Sequence, residues 1–180
     1  MKTRLAVLTL FAGLLLAPFA AGAATAEEID ARVREAQGSL EKSSAAAREL
    51  GSRARGTLVF PRVIKGGVGI GAGYGEGALK VGGHTVAYYN IGSASVGFQL
   101  GLQEQSVVVL FMTDGALEKF RASKGWKAGV DGSVAIAQFG AGESIDTETA
   151  QKPIIGFVFN NKGLMYNLTL EGAKITRIRK

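Results

Sequence analysis

Apolar and polar positions change their period once along the chain, near residue 56. Before it, Ile29, Val33, Ala36, Leu40, Ser43, Ala47, Leu50 and Ala54 recur at alternating steps of four and three. That spacing draws a narrow stripe along one side of a helix over residues 27–55. Acidic Glu27, Glu28 and Asp30 crowd its start, and basic Arg48, Arg53 and Arg55 crowd its end, as the helix dipole prefers. Gly38 and Gly51 are the weak points at which a break is expected. From Gly56 onward the period is two, the signature of strands. Thr57 to Phe60 reads as a strand that Pro61 ends or confines to an edge.

Glycine then occupies every odd position from Gly67 through Gly69, Gly71, Gly73 and Gly75 to Gly77, alternating with Val68, Ile70, Ala72, Tyr74 and Glu76. In an extended chain this leaves one flank as bare backbone, which calls for close approach by another element. The N-terminal helix, studded with alanine, is expected to lie against that bare flank. Gly82-Gly83 predicts a tight hairpin turn between Ala78–Val81 and Thr85–Ile91, and Gly92-Ser93 a further break. Ala94 to Gly101 alternates again. The apolar run from Ser106 to Met112 predicts a buried central strand. Thr113-Asp114 caps a short helix carrying Ala116, Leu117 and Phe120 to about Ser123. Residues 126–130, 133–139, 153–159 and 164–170 read as strands, with 143–149 a polar loop or helical turn and 174–180 a basic tail. The predicted fold is α+β: a mostly antiparallel curved sheet, barrel- or sandwich-like, with a long N-terminal helix and one short internal helix.

The first 26 residues do not belong to that domain. Lys2 and Arg4 precede a compact apolar run from Leu5 to Leu16, too short to span a bilayer, and small residues occur at Ala24-Thr25-Ala26. This is the pattern of a secretory signal peptide, with cleavage expected after Ala26 and Ala23 as the alternative. The expected domain is residues 27–180. The expected location is outside the cytoplasm, periplasmic or extracellular, with peripheral contact to a membrane. The chain has no cysteine and one histidine, so disulfide, zinc, haem-thiolate and iron–sulfur chemistry is not expected, and no metal or cofactor is assigned. Of 21 basic and 15 acidic residues, the leader removes two basic ones. The remaining excess is mild, and a secretory address makes nucleic acid an improbable partner.

The glycine run is not a nucleotide site. No Gly-x4-Gly-Lys-Ser/Thr string occurs, and beyond the run the chain keeps alternating instead of opening a helix. His84 beside a Gly-Gly turn reads as a turn histidine, and Asp114, Asp131, Asp146, Glu143 and Glu148 read as caps and turn formers. No catalytic residue is assigned, and the chain is read as a non-enzyme. What remains is charge. Arg53, Arg55, Arg62 and Lys65 form one acid-free cluster, and Lys174, Arg177, Arg179 and Lys180 another; Lys119, Arg121, Lys124 and Lys127 form a third beside Glu118. Two clusters meeting in space would make a patch for anionic headgroups.

The order Ala54-Arg55-Gly56-Thr57-Leu58-Val59-Phe60-Pro61, Lys65-Gly66-Gly67, Gly73-Tyr74-Gly75-Glu76-Gly77 and Ser95-Val96-Gly97-Phe98-Gln99-Leu100-Gly101 resembles the SYLF domain family. The resemblance runs on through Val107–Met112, Leu117, Phe120, Lys162-Gly163-Leu164 and Leu170-Glu171-Gly172. It implies a lipid-binding module, of a family whose eukaryotic members bind phosphoinositides through an amphipathic N-terminal segment and basic residues, and some of whose yeast members bind actin. On that footing the expected lipid-binding residues are Arg53, Arg55, Arg62, Lys65, Lys174, Arg177, Arg179 and Lys180. Ile29, Val33 and Leu40 are the expected membrane-inserting side chains. The expected partner is an anionic phospholipid headgroup. The alternative is an envelope component that self-associates or binds a protein.

Overall fold

Thr25 starts the first helix. Its hydroxyl accepts from the Glu28 amide at 3.2 Å, while the Glu28 carboxylate accepts from the Thr25 amide at 3.1 Å. That reciprocal box satisfies two amides that a helix end otherwise leaves unpaired. The computed structural model describes residues 24–137, 145–162, 170 and 172–180. Most of the expected leader and residues 164–169 of the strand expected at 164–170 lie outside them.

The helical stretch expected over 27–55 is broken, as its glycines allowed for, into α1 (Ala26–Ser43) and α2 (Ala45–Arg53). The break falls at Ser44 and not at Gly38 or Gly51. Ser44 adopts an extended conformation, donates its amide to the Leu40 carbonyl at 3.0 Å, and accepts from the Ala47 amide at 3.1 Å. One serine thus ends α1 and caps α2. The Arg48 side chain reaches back to the Glu41 carbonyl at 2.8 Å, which braces the joint.

Strands β1 (Gly56–Val81) and β2 (His84–Phe111) form one very long antiparallel hairpin, paired from Val81↔His84 to Gly56↔Phe111. Gly82 and Gly83, with φ of 58° and 83°, supply the positive dihedrals of its two-residue turn. Of the two expected outcomes for Pro61 the structure takes the second: the strand does not end there, and it is an edge, since among the described residues β1 is paired with β2 alone. The proline lies where the register slips between Phe60 and Val63, and a bulge tolerates a residue without an amide proton. Nor does Gly92-Ser93 interrupt β2.

The glycine run lies in β1 as a strand, but its bare flank does not receive the helix. β1 folds back on itself around the register slip between Val68 and Ile70, and its second half lies against its first. A Cβ on Gly75 would sit 2.6 Å from the Arg62 carbonyl oxygen and 2.9 Å from Val63 Cγ2. One on Gly73 would sit 2.5 Å from Ser93 Oγ and 3.0 Å from Lys65 Cγ. One on Gly77 would enter the Val59 carbonyl, and one on Gly67 the Ile70 carbonyl. Helix α1 lies on the opposite flank, the one with side chains. There Lys80 Nζ donates to Gln37 Oε1 at 2.9 Å, and Thr85 and Tyr88 donate to the Asp30 carboxylate at 2.9 and 3.0 Å. The inside of a folded strand has room only for bare backbone, whereas a helix packs on a sheet through its own side chains.

After β2 come α3 (Asp114–Ala122), β3 (Trp126–Lys127), β4 (Ala135–Ala137), α4 (Thr147–Ala150), β5 (Ile154–Lys162) and β6 (Lys174–Ile178). Among the described residues the sheet order is β3-β6-β2-β5-β4, with β1 also on β2; β4 and β5 pair in parallel and the other strand pairs are antiparallel. The result is an α+β fold around a curled half-barrel. Residues 174–180 are therefore not a loose basic tail: most of them form β6, paired with both β2 and β3.

Two apolar layers result from the curl. Inside it lie Leu58, Phe60, Leu79, Val107, Val109 and Phe111, closed by Leu117 and Phe120 of α3 and by Trp126. The Phe120 ring lies 4.7 Å from Phe111, 5.0 Å from Tyr89 and 5.7 Å from Trp126. Outside it, Ile29, Val33, Leu40 and Leu50 cover Val59, Val108, Leu110, Ile155 and Phe157. Each such fully buried large side chain contributes about 1.5–3 kcal/mol.

Candidate anion-binding face

Helix α3, strand β6 and strand β3 bring together two basic segments that are far apart in sequence. Thr113 caps α3, its hydroxyl accepting from the Ala116 amide at 3.3 Å. Phe120 pins the helix in the mouth of the curl, and Lys119 and Arg121 then fall in the last turn, where the helix dipole favours cations. Strand β6 runs beside β2 so that Arg177 stands opposite Tyr89, and beside β3 so that Lys174 stands opposite Lys127. Trp126 and Ile175 point into the core, which turns Lys127 and Lys174 to solvent.

Arg121 and Arg177 line a cleft of about 290 Å³ together with Val86, Ala87, Tyr89 and Glu118. Burial pushes the Tyr89 hydroxyl above its usual pKa, and the charges of Arg177 and Arg121 pull it partly back, so both guanidinium groups act on one ring. Among the described residues, none of Lys119, Arg121, Lys127, Lys174 and Arg177 forms an ion pair. Like charges on directly opposed strand positions repel, so the Lys127–Lys174 pair costs stability unless an anion lies across it.

The other expected binding residues are placed differently. Arg53 pairs with Glu49 at 3.8 Å, Arg55 with Asp114 at 3.6 Å and Arg62 with Glu104 at 2.8 Å. Lys180 pairs with Glu76 at 2.8 Å, and both side chains are largely covered. Lys65 is half-buried on the inner face beside Gly73, where desolvation holds its ammonium below the usual lysine range. Arg179 is exposed. The structure thus sets Lys174 beside Lys127 on one face of β6 and Arg177 beside Arg121 on the other, and leaves Arg53, Arg55, Arg62 and Lys65 outside both pairs. Arg121, Lys127 and Tyr89 meet their β6 partners only through strand pairing and helix docking.

Ile29, Val33 and Leu40 are buried between α1 and the sheet, at 2%, 1% and 3% exposure. They reach a bilayer only if α1 leaves the sheet. Among the described residues no cluster of three His, Cys, Asp or Glu side chains has the arrangement to hold a metal ion, and His84 is exposed at the hairpin turn. No described helix is long and apolar enough to cross a membrane.

Residues 92–180 match the family model Ysc84, described as Las17-binding protein actin regulator. The match begins inside β2 and takes in both cation pairs, but not the Val86–Tyr89 side of the cleft. No curated protein matches the chain.

Proposed function

The chain belongs to the SYLF (Ysc84) family through its residues 92–180, a family of the lipid- and actin-binding type, and from that premise we propose that it is an exported, non-enzymatic protein that binds anionic phospholipid surfaces peripherally. The observation that supports this reading most is a pair of cation pairs carried by β6, Lys127 opposite Lys174 and, on the other face of the strand, Arg121 with Arg177 in the cleft, all four without an ion pair among the described residues. Each such cation near an anionic surface contributes about 1 kcal/mol, attenuated by salt. Phosphoinositide headgroups are one form of that ligand. Co-sedimentation with vesicles tests the reading. Binding is expected to acidic and not to neutral vesicles, to weaken with salt, and to fall about 30-fold in the Lys127→Ala/Lys174→Ala double variant, the equivalent of roughly 2 kcal/mol. Equal recovery with neutral and acidic vesicles would sink it.

Export belongs to the same proposal, and the fold bears on where the leader ends. Thr25 and Ala24 are parts of the folded domain: Thr25 completes the capping box, and the Ala24 amide donates to the Glu76 carboxylate. Cleavage after Ala26 would remove both, whereas cleavage after Ala23 keeps them. The intact mass of protein recovered outside the cytoplasm is expected to correspond to a chain starting at Ala24. A chain starting at Glu27 would contradict this.

Self-association is the second reading, favoured by Ile70 and Leu102. Both are 71% exposed and stand near the bend of the hairpin. Light scattering of the purified domain distinguishes a stable, lipid-indifferent oligomer from a membrane-binding monomer.

A further inference from the structure

A cavity of about 660 Å³ opens between α3 and the β4–β5 edge of the sheet. Its volume lies within the roughly 300–1,000 Å³ typical of small-molecule sites. Ala116, Trp126, Val134, Ala135, Pro153 and Ile154 supply an apolar wall. Trp126 and Ile154 are buried and form the floor, while the exposed side chains of Lys119 and Lys152 mark the mouth. Gly132 keeps the floor open: a Cβ there would already lie 3.0 Å from Trp126 Cζ2 and 3.2 Å from Ile154 Cδ1.

The charges at this cavity are mostly committed. Lys152 pairs with Glu148 at 2.7 Å, and the Asp131 carboxylate accepts the Lys127 amide at 2.6 Å. Lys119 is the cation at the mouth without an ion pair among the described residues. A greasy slot with one uncommitted positive charge at its opening complements a single hydrocarbon chain ending in a single negative charge. We propose that this cavity binds the acyl chain of one monomeric long-chain fatty acid, with its carboxylate at Lys119 Nζ. The proposal rests on the lipid-binding reading above and gives it a second, monomeric ligand at a separate place.

Trp126 is the only tryptophan of the chain, so its fluorescence reports on the cavity floor directly. Titration with a brominated C18 fatty acid, kept below its micelle-forming concentration, is expected to quench Trp126 saturably. Lys119→Gln is expected to weaken that binding about tenfold, the scale of one charge-assisted hydrogen bond. Ala116→Phe, which fills the slot, is expected to abolish quenching. Circular dichroism checks that this variant is folded, and exposed Lys119 provides a variant that leaves the packing alone. Absence of saturable quenching, or quenching unaffected by Lys119→Gln, overturns the proposal. So does quenching by vesicles of brominated phospholipid with none by the monomeric acid. Vesicle binding that persists without fatty-acid quenching refutes the cavity alone, whereas loss of both refutes the membrane reading as well.

Discussion

Glycine 77 and glycine 38 give opposite answers to the same substitution. A methyl on Gly77 would be driven into the Val59 carbonyl, a backbone atom that moves only if the fold of β1 opens. A methyl on Gly38, inside α1, meets nothing within 4 Å. Gly77→Ala is therefore expected to destabilise by about 1–3 kcal/mol or more, and Gly38→Ala to stabilise by up to about 1 kcal/mol. Urea unfolding of the two variants measures both. The alternation of residues 67–77 makes the bare flank legible without coordinates. Its occupant is not legible, because period two says which side lacks side chains and nothing about what approaches it. The occupant is β1's own first half, brought there by a register slip that leaves no mark in composition.

Elements are legible where a stripe or a cap defines them. Ile29, Val33, Ala36, Leu40, Ala47 and Leu50 are all buried as the four-three spacing demands, and Thr113 does cap α3. The joint at Ser44 escapes the pattern because a serine just ahead of Ala45-Ala46-Ala47 competes with the helix only through its local hydrogen bonds. Strand β6 escapes it because its charged positions outnumber its one buried anchor, Ile175. That omission hides the candidate site: three basic clusters are visible in sequence, but the meeting of Lys127 with Lys174 depends on β6 lying beside β3. Helix α1 also offers a test of which element meets the lipid. Leu40→Ala is expected to cost about 2–5 kcal/mol of stability. It should leave vesicle affinity unchanged at temperatures where the variant stays folded, if the Lys127–Lys174 and Arg121–Arg177 pairs carry binding. A matching loss of affinity would return the role to the helix.

At the scale of the whole molecule, the curl is closed by polar ties as well as by its two apolar layers. Glu76 is the clearest of them. Burial alone would raise its pKa, but hydrogen bonds from Lys180, Tyr74 and the Ala24 amide, together with the Lys180 charge, outweigh burial and hold the carboxyl below its usual range. A carboxylate whose native pKa is depressed stabilises the fold above its unfolded pKa, and that contribution fades as pH falls towards the native one. Glu76→Gln is thus expected to be less stable than the parent at neutral pH. The gap should narrow below the ordinary glutamate range, as followed by thermal melts between pH 7 and pH 3. A gap that stayed constant with pH would show that the charge on Glu76 contributes nothing. The same carboxylate gathers the Ala24 amide and the ammonium of Lys180, so the two ends of the folded domain are within a side chain's reach of each other. A short linker can therefore join them, and the chain can be reopened at the exposed Gly82-Gly83 turn to give a circular permutant with the same sheet.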